Sequence, residues 1–239
     1  STTLKQNLMQ VIKGAQGSEE WHDARRCKIT ATKLDMVMGT PLVQAQLIAE
    51  LVAEYASEQT KHFKATAEME RGTEEEPKAV ASFENATGTK VNRDVAFCVS
   101  DKYPYLGFSP DGFVGDSYKE TIEIKNPDTK TMMFYKIANM IAKEETGLPA
   151  SKQTWLGIPL DYKYQVLCSF VVNEEQEKLH FIVHDSRVLD PSQQLYTIVV
   201  ERSNPEVQKE LKDIEETLVL FRDKWMKWKS IILPETNLF

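Results

Sequence analysis

The hydrophobic period of the chain changes at residue 90 and changes back near residue 130. Upstream, apolar residues recur every three or four positions. "KVNRDVAFCVS", "YLGFS" and "TIEIKN" then alternate, and "TMMFYKIANMIA" returns to the longer spacing. A period of two marks strands with unlike faces, and a period near 3.6 marks amphipathic helices. Strands set between helices must bury apolar faces against them, which selects a layered α/β architecture. Pro104, Gly112, Gly115 and Asp116 fill the breaks, so the strands read as an antiparallel meander over residues 90–127.

The helices have recognisable ends. Within residues 18–88, "SEEWHDARR" opens on Ser18 as N-cap with Glu19 and Glu20 in its first turn, and "ITATKLDMVMG" is capped by Thr30 or Thr32 and closed by Gly39. Two short helices are therefore expected to meet near Lys28. "LVQAQLIAELVAEYA" puts Leu47, Leu51 and Tyr55 on one face, and "TEEEPKAVASFENATG" starts acidic and stops at Gly88. Residues 130–172 read as two more helices, and residues 178–185 as a strand with Leu179, Phe181 and Val183 on one side. Residues 204–229 form a helix opened by Asn204 and Pro205, whose Val207, Leu211, Ile214, Leu218, Phe221, Trp225 and Trp228 make a stripe suited to a core or an oligomer contact. The expected fold is one α/β domain over residues 1–239, a central mixed sheet flanked by helices.

A formal net charge of −7 and a pI near 5.3 argue against coating nucleic acid by bulk positive charge, so a polyanion would have to be met locally. Cys27, Cys98 and Cys168 are too few and too scattered for a disulfide framework or a four-thiolate cluster, which predicts a reduced, cytoplasmic protein. No apolar run approaches the ~20 residues of a membrane span, and the first residues lack a signal-peptide pattern.

Inside the alternating region, "SPDGFVGDSYKETIEIKNP" carries the chemistry. Residues two apart on a strand share a face, so Glu123 and Lys125 point one way while Ile122 and Ile124 point the other. The excursion from Gly112 to Lys119 is hairpin-sized and would return the chain beside Asp111. Two buried carboxylates repel and raise each other's pKa, which favours a cation between them. Oxygen ligands without histidine select a hard ion, Mg2+ or Mn2+, with the Ile124 carbonyl as a further ligand. Lys125 would then stabilise charge on a phosphate or help activate water. A Glu-x-Lys pair alone is an ordinary surface feature; its setting, after Ser-Pro-Asp-Gly and before Asn126-Pro127, sets this one apart.

In these motifs the chain resembles the PD-(D/E)xK nuclease superfamily and, more narrowly, the phage lambda exonuclease group of viral recombination nucleases, or alkaline exonucleases. Four blocks carry the likeness in order over residues 18 to about 172: "EEWHDARRCKITAT", "RGTEEEPKAVASFE", "GFSPDGFV" with "IEIKNP", and "YKYQVLCSF". The resemblance implies a restriction-endonuclease-like core in which Asp111 and Glu123 bind metal and Lys125 is the motif lysine. It makes Glu76 a further acidic group, with Glu74 and Glu75 as competitors, and Gln165 the glutamine that positions water or phosphate. Arg25, Thr32 and Ser109 would hold a 5′-terminal phosphate. Thr32 stands where the family has serine. A family arginine beyond the motif lysine is missing, with Lys130 the nearest cation and Thr131 at the matching position. Trp21 reads as a core anchor, and His180 and His184, four apart on a strand, do not read as a zinc pair.

The implied activity is Mg2+-dependent 5′-to-3′ digestion of linear double-stranded DNA ends to mononucleotides, leaving 3′ overhangs for recombination by single-strand annealing. The resemblance also implies a homotrimeric ring, a single-strand annealing partner protein and a phage or prophage origin. The rivals are a restriction-type endonuclease or RecB-like nuclease, and a non-catalytic DNA-end-binding module.

Overall fold

Two sheets, rather than one meander, hold the central strands. The computed structural model describes residues 9–57, 67–144 and 154–234. Its elements are β1 (Met9–Ile12), α1 (Glu19–Arg25), β2 (Ile29–Thr30), α2 (Leu34–Val37), α3 (Pro41–Ala56), α4 (Ala67–Thr87), β3 (Val91–Asn92), β4 (Phe97–Ser100), β5 (Leu106–Phe108), β6 (Gly112–Val114), β7 (Glu120–Lys125), α5 (Thr129–Glu144), β8 (Thr154–Trp155), β9 (Ile158–Pro159), α6 (Lys163–Val172), β10 (Lys178–His184), β11 (Leu195–Glu201) and α7 (Pro205–Ile232). One sheet has the order β1-β4-β5-β2 and the other β11-β10-β7-β6-β3, with β8-β9 as a separate pair. Parallel pairing of β7 with β10 and of β2 with β5, among antiparallel neighbours, makes both large sheets mixed.

The expected meander is therefore corrected. "KVNRDVAFCVS" splits into β3 and β4, which lie in different sheets, and the chain crosses between sheets again through Ser109, Pro110 and Asp111. Two glycines flank that second crossing and allow its close approaches. A Cβ on Gly107 would lie 2.5 Å from the Phe97 ring and 2.7 Å from the Cys98 carbonyl, and one on Gly112 would lie 2.6 Å from Val91 Cγ1. Because the Gly107 contacts are ring and backbone, Gly107→Ala is expected to destabilise the chain by about 2 kcal/mol, read as a lower urea midpoint with unchanged slope.

Both faces of the five-stranded sheet are covered, so its central strands are buried on both sides. Ala79, Val80 and Phe83 of α4 pack on Ile122, Ile124 and Ile182. The opposite face, with Leu179, Phe181 and Val183, joins the main core under α6 and α7. The α7 stripe is buried from Val207 to Trp225, but Trp228 is 47% exposed and departs from the expected stripe. Asn204 caps α7 by accepting from the Glu206 N–H. The helix α4 begins well before the expected acidic start and runs through Pro77. No described helix is long and apolar enough to cross a membrane.

Candidate active site

The acidic site forms where β6 ends and β7 continues. Pairing of Gly112 with Ile122 puts Asp111 beside the Glu123–Ile124 segment, and the Ile124 N–H donates to Asp111 Oδ2 at 2.7 Å. In an extended strand a residue's N–H and C=O project to the same edge. The Ile124 carbonyl thus projects toward Asp111, where no β6 residue remains to pair with it.

Glu123 and Lys125 share the other register and reach α6. Lys125 Nζ lies 2.7 Å from Glu123 Oε1 and donates to Gln165 Oε1 at 3.2 Å, while Gln165 Nε2 donates to Glu123 Oε1 at 2.7 Å. The three side chains close a ring, with Lys125 also 4.5 Å from the Tyr162 ring centroid. Both partners are more than four-fifths buried, at 19% and 9% side-chain exposure, so the pairing acts in a weakly screened setting.

Of the three consecutive glutamates on α4, Glu76 is the one turned to this site. It lies on the same helical stripe as Ala79, Val80 and Phe83, and it accepts from Arg93, whose Nε also donates to the Asp111 carbonyl at 3.3 Å. Glu75 turns away to Lys78 and Ser186, and Glu74 is exposed. Arg71 donates to the Asn126 carbonyl and Asn126 Nδ2 donates to the Gly72 carbonyl, which pins α4 to the end of β7.

Electrostatics make this an unhappy cluster without a cation. Burial pushes Glu123 up to about 7, Asp111 and Glu76 push the same way, and Lys125 opposes them. Burial also raises Asp111, against Lys125 and the Ile124 N–H, and raises Glu76 together with Asp111. Lys125 stays charged, because Glu123 and Asp111 outweigh its own desolvation. No three acidic, histidine or cysteine side chains among the described residues converge tightly enough to hold a metal by themselves; Lys125 and Arg93 draw two of the carboxylates to themselves. The donor set still suits a hard divalent ion, since it consists of mutually repelling carboxylates and a carbonyl directed at the same edge.

A pH dependence follows. Glu123 has a folded pKa of about 7, above the ordinary value near 4.3. The folded chain therefore binds more protons than the unfolded chain in between, and stability present below about pH 4.3 is lost as pH rises toward 7. Melting temperature in EDTA is expected to fall between about pH 5 and pH 8. Mg2+, which favours the charged carboxylates, should raise it more at pH 8 than at pH 5.

A second site lies across the crossing. Trp21 Nε1 donates to Ser109 Oγ at 2.8 Å and Arg25 Nη1 donates to the same oxygen at 3.2 Å. Arg25 stacks 4.1 Å from the Trp21 ring centroid and 5.9 Å from that of Phe97. Burial lowers its pKa, which Glu54 partly offsets. Trp21 is therefore a half-buried partner of Arg25 and Ser109 rather than a core anchor, because α1 buries no residue fully. Thr32 is exposed and shares a 3.3 Å hydroxyl contact with Thr30. The parallel register Ile29↔Leu106 and Thr30↔Gly107 runs toward Thr32 and Ser109 at one end. Lys130 is exposed in the first turn of α5 and makes no hydrogen bond or ion pair with a described residue. His180 pairs with Glu120 and His184 with Ser82, each apart from the other. Sequence reasoning missed Arg93, Tyr162 and Gln16, whose Nε2 donates to the Pro110 carbonyl at 3.0 Å. Arg93 and Gln16 lie in no motif and only the fold brings them in, while Tyr162 opens the block "YKYQVLCSF" without a signal of its own.

The family model of the YqaJ-like viral recombinase domain matches residues 20–176, a span that contains every residue of both sites except Gln16. The chain belongs to this family. The chain also resembles solved structures. LHK-Exo in complex with dAMP shares 25% identity over 90% of this chain and 98% of its own, with a TM-score of 0.66. The alkaline exonuclease LHK-Exo from Laribacter hongkongensis aligns over the same shares at 25% identity and a TM-score of 0.63. A phage related exonuclease from Haemophilus somnus 129PT, 13% identical over 86% of this chain and 98% of its own, shares the fold at a TM-score of 0.56. No curated protein matches the chain.

Proposed function

We propose that the chain is a divalent-metal-dependent exonuclease that digests the 5′-ended strand of linear duplex DNA to mononucleotides and leaves a 3′ single-stranded overhang. One observation carries this reading. The three residues between β5 and β6 place Ser109, with Arg25 and Trp21, next to Asp111, with Glu123, Lys125, Gln165 and Glu76. An anion pocket and a hydrolytic site are thus joined by one three-residue segment, as an enzyme that measures from a terminal phosphate requires. Family membership and the likeness to alkaline exonucleases support the nuclease part.

Asp111, Glu123, the Ile124 carbonyl and Glu76 would hold Mg2+, for which Mn2+ is a chemical substitute. When bound, the ion supplies a more acidic water and neutralises charge on a phosphate oxygen. Lys125, held charged, faces the negative charge that grows on the phosphate. Gln165 fixes the orientation of Glu123 and Lys125 through its two hydrogen bonds. Arg25 and Ser109 hold the terminal phosphate, with Thr32 and Lys130 as outlying contacts. The same reading extends to one nuclease domain, a homotrimer around DNA, a single-strand annealing partner and action in the cytoplasm of a phage-bearing host.

The test uses linear duplex labelled at either end, with and without a 5′-phosphate, in Mg2+ or EDTA. Metal-dependent release of the 5′ label first is expected. Release of the 3′ label first overturns the polarity, and equal cutting of closed circular DNA overturns the exonuclease reading.

A further inference from the structure

Along β5 and its flanks, Tyr105, Gly107 and Ser109 alternate to one side. Ser109 ends this row in the Arg25 pocket. At the other end, about 13 Å away by strand rise, Tyr105 opens a cavity of about 620 Å3 between the α1–β2 turn, α3, the β4–β5 connection and α7. The ring of Phe97 covers Gly107 between them. The left-handed backbone of Cys27, φ 58°, divides the α1–β2 turn. Arg25 faces Ser109, while Arg26, Cys27 and Lys28 line the cavity.

The cavity combines aromatic walls with cations. Tyr105 lies 6.1 Å from Tyr103 and 6.2 Å, edge-on, from Trp225, measured between ring centroids. Two of the lining cations are already committed. Arg26 donates to the Glu54 and Ser57 carbonyls, and Lys102 pairs with Glu215 at 2.8 Å. Lys28 and Arg222 have no carboxylate partner among the described residues, and Arg222 lies 5.8 Å from the Tyr105 ring centroid. Burial lowers the Lys28 pKa, so its charge is held at a cost that a bound anion would remove. Trp225 is 1% exposed, and its indole N–H has no acceptor among the described residues.

We propose that this cavity binds one nucleotide of single-stranded DNA, with the base against Tyr105 and the phosphate on Lys28 and Arg222. An apolar ligand would leave both cations unanswered. Paired bases within a duplex cannot enter a cavity, whereas a splayed base offers a π-face and acceptors together with its phosphate. The inference rests on the reading of the chain as a DNA-end enzyme and deepens it. The strand left after its complement is removed is the occupant, and the β5 row brings the cavity within a few nucleotides of the Ser109 pocket.

The test is fluorescence anisotropy of labelled oligothymidylate in EDTA, with the full chain and its Arg222→Ala and Tyr105→Leu variants. Each variant is expected to bind about tenfold more weakly. An abasic strand of equal length should bind the parent protein more weakly and fail to distinguish it from Tyr105→Leu. Unchanged affinity of Arg222→Ala, an exposed position on α7, at an unchanged melting temperature overturns the proposal. So does abasic binding as tight as that of oligothymidylate. Because EDTA binding involves no hydrolysis, a chain that binds through this cavity but digests nothing in Mg2+ fails only the enzymatic reading. One that digests normally and shows no variant effect fails only the cavity.

Discussion

Asp111→Asn is expected to lower kcat on linear duplex about a thousandfold or more while leaving the protein at least as stable in EDTA. The two effects have one origin. Burial holds the Asp111 carboxyl above its ordinary range, and its charge raises Glu123 and Glu76 as well. An asparagine oxygen can still accept the Ile124 N–H, now at 2.7 Å from Asp111 Oδ2, so the backbone contact survives. What is removed is one negative charge from a cluster that repels itself, which relieves the fold and weakens the hold on a divalent ion. Loss of several kcal/mol of charge stabilisation at the phosphate corresponds to about three orders of magnitude in rate. Alanine is the poorer probe, because it leaves the Ile124 N–H without its acceptor, at roughly 1–3 kcal/mol. Single-turnover digestion in Mg2+ and thermal melting in EDTA near pH 8 read the two quantities separately. Wild-type digestion by Asp111→Asn would remove Asp111 from the chemistry. A large drop in melting temperature would instead make it a structural hub.

What the sequence disclosed follows from how far each signal reaches along the chain. Glu123 and Lys125 are two residues apart on a strand, so their common face is a local fact, and the 2.7 Å contact between them needed no tertiary information to foresee. The approach of Asp111 to this strand was also legible, because a hairpin-sized excursion sets the register Gly112↔Ile122. The split of β3 from β4 was not legible: both alternate, and nothing local says that one pairs with β6 and the other with β1 and β5. Strand β11 was missed although "LYTIVVE" has β-type residues, because as the edge partner of β10 it is half-buried along most of its length and carries no clean alternation. The acidic run Glu74–Glu76 misled in a different way. Read as the first turn, it placed the start of α4 too late, and the helix begins at Ala67 and runs on through Pro77. Trp21 was assigned to the core because it lies one helical step before Ala24; here the indole N–H has a task on Ser109, 88 positions away in sequence.

Arg25→Ala is expected to remove discrimination between 5′-phosphorylated and 5′-hydroxyl ends. Arg25 is pulled below the usual guanidinium range by burial and has no carboxylate at ion-pair distance among the described residues. Its planar group is instead clasped by Trp21 at 4.1 Å and fixed by Ser109 at 3.2 Å. A partly desolvated, pre-oriented guanidinium gives a charge-assisted bond to phosphate worth roughly 1.5–3 kcal/mol, or about ten- to a hundredfold in kcat/KM between the two ends. The variant should bring that ratio near one by slowing digestion of phosphorylated ends, with little change on hydroxyl ends. Arg25→Lys keeps the charge and loses the fork and the stacking, so it should recover only part of the ratio. This separates phosphate recognition from packing, since a collapse of the Trp21 contact would slow both substrates together and lower the melting temperature. A ratio that survives Arg25→Ala would move end recognition off the Trp21–Arg25–Ser109 group. Lys130, exposed at the start of α5, would then be the cation to replace next.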